Sequence, residues 1–231
     1  MKDLLPRSVL TRYCIRELLG LAVMGTALFW PALTFHWWQA WTVLATTLLW
    51  TIGMAVVILY VHPALLAERL GPRPGARTWD TIIMSMLGIA QLARYILAGF
   101  DHRLGWSGSF PLVLQIAAAL LCLLGYALVV WAAGENAFFS QIVRLQPERG
   151  QVVVNSGPYR LVRHPAYLGS ILIEIAIPLV LGSFAALSIS ILTLFLLVLR
   201  TRLEDNILMI ELSGYEEYSR QIRFRLFPFI W

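Results

Sequence analysis

Two stretches of the chain combine residue types that can do chemistry. The first runs from Gly150 to Tyr167 and reads G-Q-V-V-V-N-S-G-P-Y-R-L-V-R-H-P-A-Y. It gathers Tyr159, Arg160, Arg163, His164 and Tyr167 around two helix-breaking steps, Gly157-Pro158 and His164-Pro165. Proline lacks an amide donor and biases its predecessor toward extended geometry, so the backbone here must leave amides and carbonyls free to meet a ligand. The second stretch, R-T-R-L-E-D-N-I-L from Arg200, places Arg200 and Glu204 four residues apart and therefore on one helix face. A cation and a carboxylate on one face, beside an irregular Gly/Pro/His loop, can bind a zwitterion.

Each part alone is ordinary. Arg200, Arg202, Glu204 and Asp205 read by themselves as a solvated helix end, Tyr159 and Tyr167 as an aromatic belt, and Val152 to Val154 as a buried strand without a ligand. The order and spacing of the parts together carry the functional reading, and that requires elements that bring the two stretches to one place.

Those elements are set by apolarity. Of 231 residues, 59% are hydrophobic and 13% charged, with a mean hydropathy of +0.72, which excludes an ordinary soluble domain. The chain reads as an all-α, polytopic transmembrane bundle of about six spans. The sequence pI near 9.6 raises nucleic acid as a partner, but the basic residues fall between apolar runs, so membrane orientation accounts for them instead. Two cysteines, Cys14 and Cys122, support neither a disulfide framework nor a thiolate metal site, and no metal is expected.

In chain order, Met1 to Glu17 carries Lys2, Arg7, Arg12 and Arg16, and no small-residue cleavage pattern follows, so Leu18 to Phe35 reads as a retained first span. Trp38 to Val61 is the second. The loop from His62 to Thr78 holds Pro63, Gly71, Pro72, Pro74, Gly75, Arg69, Arg73 and Arg77, with one interfacial helical turn around Ala64 to Leu70. The third and fourth spans, Trp79 to Ala98 and Phe110 to Ala133, are joined by a short Gly-rich loop containing Asp101, His102 and Arg103. After the motif loop, Tyr167 to Leu181 and Phe184 to Leu199 are separated only by Gly182-Ser183. The first of these has 15 residues, short of the roughly 20 that cross hydrocarbon unaided, and a tight helical hairpin with Gly182 as C-terminal cap is the economical reading. The second helix continues through Arg200 to Leu212 until Gly214. Gly214 to Trp231 is a polar-aromatic tail suited to the membrane interface.

With the N-terminus inside, the segments on that side hold 16 of the 18 Lys and Arg residues, so both termini, the motif loop and the Arg200 helix are expected in the cytoplasm of a multi-pass protein, with a bacterial inner membrane as its setting. The hairpin then returns Arg200 to the neighbourhood of His164.

The pattern Ser156-Gly157-Pro158-Tyr159-Arg160-x-Val162-Arg163-His164-Pro165-x-Tyr167-x-Gly169 resembles the signature of the isoprenylcysteine carboxyl methyltransferases and related phospholipid methyltransferases. Arg200-x-x-x-Glu204-Asp205-x-x-Leu208, with Gly214 and Tyr218, is similar to that family's second motif, usually an arginine followed by paired glutamates. The resemblance spans about Asn136 to the C-terminus. It divides the chain into an N-terminal transmembrane region, 1–135, and a catalytic region, 136–231.

The resemblance implies a cytoplasmic pocket for S-adenosyl-L-methionine and a lipid-side tunnel for an apolar or amphiphilic acceptor, with membrane lipids as surroundings. Carried over by position, it makes Gln151, Val152, Val153, Val154, Tyr159, His164, Pro165, Ala166, Tyr167 and Glu204 cofactor contacts. It makes Arg200 and Glu204 the catalytic residues, with Arg200 also orienting the acceptor. Asp205 stands where a second glutamate is usual and receives no role. The chemistry agrees. A sulfonium and an ammonium need an anion, which Glu204 supplies; the cofactor carboxylate needs donors, from loop amides and His164; adenine needs aromatic surface, from Tyr159 or Tyr167. A carboxylate acceptor requires no general base, so Arg200 favours methyl ester formation, with a phospholipid amine or small thiol as alternative acceptors. Outside enzymes, a cofactor-binding membrane regulator fits the same residues.

Glu174 lies ten residues beyond His164, about 15 Å along a helix, hence deep in the bilayer. An intramembrane carboxylate is a functional-site candidate. It is expected to line the acceptor tunnel or to pair with Arg94, and a structural contact with Gln91 or Gln115 is an equal alternative. His36, His62, His102 and His164 raise haem binding, but their loop positions alternate between membrane sides. A transporter would show inverted repeats or broken mid-span helices, and neither is visible.

Overall fold

The computed structural model describes residues 7–70 and 75–231. Lys2, Gly71, Pro72, Arg73 and Pro74, part of the charge and loop reading above, lie outside the described residues. Among those described there is no strand. The helices are α1 (Arg7–Ala32), α2 (Trp38–Val56, extended by a π-helical turn Val57–Val61), α3 (Leu65–Leu70), α4 (Thr78–Leu104), α5 (Leu112–Glu135), α6 (Pro165–Leu181), α7 (Phe184–Glu211) and α8 (Tyr215–Gln221). Five of them, α1, α2 with its π-helical turn, α4, α5 and α7, are long and apolar enough to cross a membrane. The 17-residue α6 is a shorter apolar helix.

Two boundaries differ from the sequence expectation. α1 is already helical at Arg7, the first described residue, well before the apolar run at Leu18, because a helix need not begin where hydrophobicity begins. Asp101, His102 and Arg103 are not in a loop. They form the last turn of α4, which runs on to Leu104 and stops where Gly105 takes a left-handed conformation, φ 68°, and donates its amide to the Asp101 carbonyl. Asp101 is buried there. Its carboxylate accepts from the Ser107 amide at 2.8 Å and from the hydroxyls of Ser107 and Ser183, tying the end of α4 to the hairpin turn.

That turn has the predicted form. Pro165 opens α6, Gly182 closes it at φ 68°, and Ser183 caps α7 by accepting the Ala186 amide at 3.0 Å. Being only 17 residues long, α6 is held in the bundle by close packing on α5. A Cβ at Gly169 would stand 2.6 Å from the Gly125 carbonyl oxygen, and one at Gly125 would stand 2.7 Å from the Gly169 carbonyl oxygen, so backbone meets backbone. The main core lies between α1, α2, α5 and the α6–α7 hairpin, around Leu28, Trp37, Cys122, Ala176 and Ile177.

The C-terminal tail folds back onto the motif loop. Leu226 is buried and the backbone pairs with the motif loop, Arg163 N to Phe224 O and His164 N to Arg225 O, both 2.9 Å, while Phe229 and Ile230 near its end are exposed.

Candidate functional site

The His164 end of α6 and the Arg200 to Asp205 segment of α7 lie together, as a tight hairpin requires. Asp205 is the hub. One of its oxygens lies 3.0 Å from His164 Nε2 and accepts from the Tyr215 hydroxyl at 2.9 Å; the other accepts from Arg163 Nη2 at 3.1 Å and Arg225 Nε at 2.7 Å. Its side chain is 1% exposed, so four partners and three elements converge on one buried carboxylate. A lone buried charge would be costly, and hydrogen bonds on both oxygens are what allow it to stay ionised. The carboxylate left without a role in the sequence is therefore the one that fixes the histidine. Burial first, then the Asp205 charge, pushes the Tyr215 phenol far above its ordinary value, and burial likewise raises Tyr218, whose hydroxyl donates to the Tyr159 carbonyl at 2.7 Å.

Arg200 is held differently. Its Nε donates to Asp80 Oδ1 at 2.7 Å, and its Nη2 donates to Asp80 Oδ2 at 3.3 Å and to the Gln141 carbonyl at 2.7 Å. Asp80 is fully buried and also accepts the Val143 amide at 2.7 Å, so this one residue of α4 clamps both the guanidinium and the loop that follows α5. The guanidinium carbon sits 5.2 Å from the centre of the Tyr167 ring. Nη1 has no hydrogen-bond partner among the described residues. Asp80 was not singled out in the sequence; the signal was a lone carboxylate in the first turn of an apolar helix, which reads equally well as helix-dipole compensation.

Glu204, one turn beyond Arg200, accepts a hydrogen bond from the Tyr167 hydroxyl. Beside it the chain from Gln151 to Val154 forms neither helix nor strand, and the amides of Val152, Val153 and Val154 have no protein acceptor among the described residues. The strand alternative is thereby replaced by a bare backbone edge. Tyr159 is buried, which raises its phenol above the ordinary value despite the hydrogen bond from Asn136 Nδ2 at 3.3 Å. Gly157 shapes this corner. Its φ is +51°, and a side chain there would collide with Glu135, whose carboxylate accepts the Ser156 hydroxyl.

A cavity of about 580 Å³ runs through these groups. Every sequence-predicted site residue lines it: Gln151, Val152, Val153, Val154, Tyr159, His164, Pro165, Ala166, Tyr167, Glu174, Arg200 and Glu204. The cavity also takes Met24, Trp50, Arg94 and Tyr126 from the N-terminal helices, so its walls draw on both regions of the chain. Glu174 pairs with Arg94, accepts from Gln91 at 3.3 Å and from Thr193, and does not meet Gln115, which lies instead under Gly182. Among the described residues no cluster of three or more His, Cys, Asp or Glu side chains could hold a metal ion.

The family model described as the isoprenylcysteine carboxyl methyltransferase family matches residues 112–210. Among solved structures, the eukaryotic intramembrane Ras methyltransferase isoprenylcysteine carboxyl methyltransferase, determined without a monobody, superposes with a TM-score of 0.58 at 17% identity, covering 93% of this chain and 75% of that one. No curated protein matches. At that identity the superposition speaks for the fold, and the family match speaks for α5, the motif loop, α6 and nearly all of α7. Fold and matched region together make this chain similar to the isoprenylcysteine carboxyl methyltransferases over residues 112–210 and in its helical architecture, five of whose described helices are long and apolar enough to cross a membrane.

Proposed function

We propose that the protein transfers a methyl group from S-adenosyl-L-methionine to a membrane-soluble or amphiphilic acceptor, a carboxylate for preference. The observation that carries this reading is the single cavity. At one end it offers a carboxylate, aromatic rings and free backbone amides, and it continues between transmembrane helices toward Met24 and Gly20 of α1. A donor that is charged and an acceptor that is greasy need both kinds of wall in one space.

The residues present fit the cofactor. Glu204 supplies an anion for its cationic groups. The unpaired amides of Val152 to Val154 supply donors and an edge for a heterocycle, with Tyr159 and Tyr167 as flanking rings. Pro165 and Ala166, in the first turn of α6, complete the wall next to His164. Bound there, S-adenosylmethionine supplies an electrophilic methyl group on a sulfonium.

The chain's own contribution is positional. Asp80 fixes the Arg200 fork, so Nη1 can hold an acceptor oxygen without reorganising. Asp205 fixes His164 through Nε2, leaving Nδ1 as the ring atom available to a ligand. Asp80 and Glu204 with Arg200 sum to one negative charge, which complements a sulfonium. The buried surroundings strengthen each of these interactions by excluding water. A carboxylate acceptor attacks without losing a proton, so no general base is required of the site. The catalytic assignment rests on Arg200 and Glu204, and the orientation that accompanies it places the motif loop and both termini in the cytoplasm.

Calorimetric titration of S-adenosylhomocysteine into purified protein tests the cofactor site. Affinity in the micromolar range, weakened at least tenfold in Glu204→Gln and His164→Ala, is expected. Equal affinity in both variants refutes the site. A labelled-methyl screen of membrane extracts then tests the acceptor, with base-labile product marking an ester.

A further inference from the structure

Outside the cavity already described, α1 and α4 form a second hollow of about 590 Å³, which shares no lining residue with the first. The two helices touch at Gly99, where a Cβ would stand 2.5 Å from the Leu28 carbonyl oxygen, and near this contact the small residues Ala22, Thr26 and Ala27 of α1 leave space. Trp30 and Phe100, both exposed, add aromatic surface to walls that are otherwise aliphatic. The Thr26 hydroxyl donates to the Ala22 carbonyl at 2.9 Å, within its own helix. One charged group stands in the wall: Arg103, exposed, in the last turn of α4.

Arg103 has no anion of its own. Its neighbour Asp101 is buried and bonded to Ser107 and Ser183, and no described residue hydrogen-bonds to or pairs with the Arg103 side chain. Among residues 30–38, 100–111 and 181–185, which make up the helix ends opposite His164, it is the single Lys or Arg. Attraction to the C-terminus of α4 accounts for a cation in that turn, but not for its place on an apolar groove. From Leu92 to Arg103 the groove follows α4 for eleven residues, about 16 Å, which matches the roughly 15 Å depth of one leaflet in a hydrocarbon core of about 30 Å. Trp30 lies in the last turn of α1 at the same end, and an indole there suits the headgroup level. A free cation at headgroup level, over an apolar channel one leaflet deep, complements a phosphate that carries a hydrocarbon chain. We propose that the groove is a binding site for one membrane phospholipid, with its phosphate on Arg103 and one acyl chain between α1 and α4. The site stands apart from the methyl-transfer reading and does not depend on it.

The probe is dioleoylphosphatidylglycerol carrying a diazirine midway along one acyl chain. Purified, delipidated protein in detergent micelles is irradiated with it, and adducts are mapped by peptide mass spectrometry. Labelling within residues 19–33 or 92–103 is expected, displaced by unlabelled phosphatidylglycerol about tenfold more effectively than by dioleoylglycerol, which lacks the phosphate. Arg103→Gln should remove that preference and Arg103→Lys should retain most of it; having no partner to lose, both variants should melt with the wild type. Ala22→Trp, which fills the groove from an exposed position, should abolish labelling there. Equal displacement by the two lipids, an unchanged preference in Arg103→Gln, or adducts confined to other segments overturns the proposal. A lipid-independent dimer that disappears in Ala22→Trp also overturns it, and assigns the groove to a second copy of this chain.

Discussion

His164 Nε2 lies 3.0 Å from Asp205 Oδ1, joining the start of α6 to α7 across 41 residues of chain. This one contact shows that the hairpin closes and that a buried carboxylate stands behind the histidine, in addition to the Glu204 that lines the cavity. Several variants isolate what each group contributes.

Asp205→Asn removes the charge that Arg163, His164 and Arg225 share. Stranding buried cations costs about 3–5 kcal/mol, so the variant should melt well below wild type and lose S-adenosylhomocysteine affinity along with stability. Thermal unfolding in detergent, followed by tryptophan fluorescence, measures the first effect. A variant that melts with the wild type would show that the hub is dispensable.

Arg200→Lys keeps the charge and loses the fork that grips Asp80 and Gln141. An ammonium cannot satisfy the two Asp80 oxygens and the Gln141 carbonyl while presenting a further donor at the same angle. Turnover is expected to fall about a hundredfold with S-adenosylhomocysteine affinity changed less than threefold, a split characteristic of lost acceptor orientation. Asp80→Asn should show the same split through the same guanidinium. Steady-state kinetics with cofactor-binding titrations read both numbers.

Gly169→Ala should destabilise by about 1–3 kcal/mol, since the new Cβ would stand 2.6 Å from the Gly125 carbonyl and 2.8 Å from a Val129 methyl. Gly88→Ala is the control. It adds a methyl group at an exposed position of α4 where nothing lies within 4 Å among the described residues, and its melting temperature should be at or above wild type.

At high pH the three buried phenols report on the cap over the cavity. Burial raises Tyr159, Tyr215 and Tyr218 above the ordinary value, so the folded state holds these protons more tightly than the unfolded chain does. Their contribution to stability is fully present below about pH 10 and is lost as pH rises from there toward the raised folded values. Phenolate absorbance should therefore develop late, together with unfolding, and Tyr215→Phe should remove part of the alkaline loss. Early, reversible titration of all tyrosines would contradict the packing.

The sequence displayed the site's order better than its supports. Proline and glycine positions announced the motif loop and the Gly182 turn, and the i, i+4 spacing of Arg200 and Glu204 placed both on the cavity wall, because local rules decide such features. Asp80 escaped notice, and Asp205 was named without a role, for the opposite reason: their contacts arise only when α4, α7 and the tail converge, and nothing in the neighbouring residues records that meeting. The end of α4 was misplaced on related grounds. Charge at Asp101 looked like solvent exposure, whereas Ser107 and Ser183 satisfy it inside the fold.

The backbone bonds from Arg163 and His164 reach residues 224 and 225, which the ribosome makes only after every membrane helix has been synthesised. Formation of the membrane helices and completion of the cavity rim are thus separable events in the life of the polypeptide. A nascent or clipped molecule lacking that last stretch can keep its helices in place and still lack the backbone partners of Arg163 and His164 at the rim of the cavity.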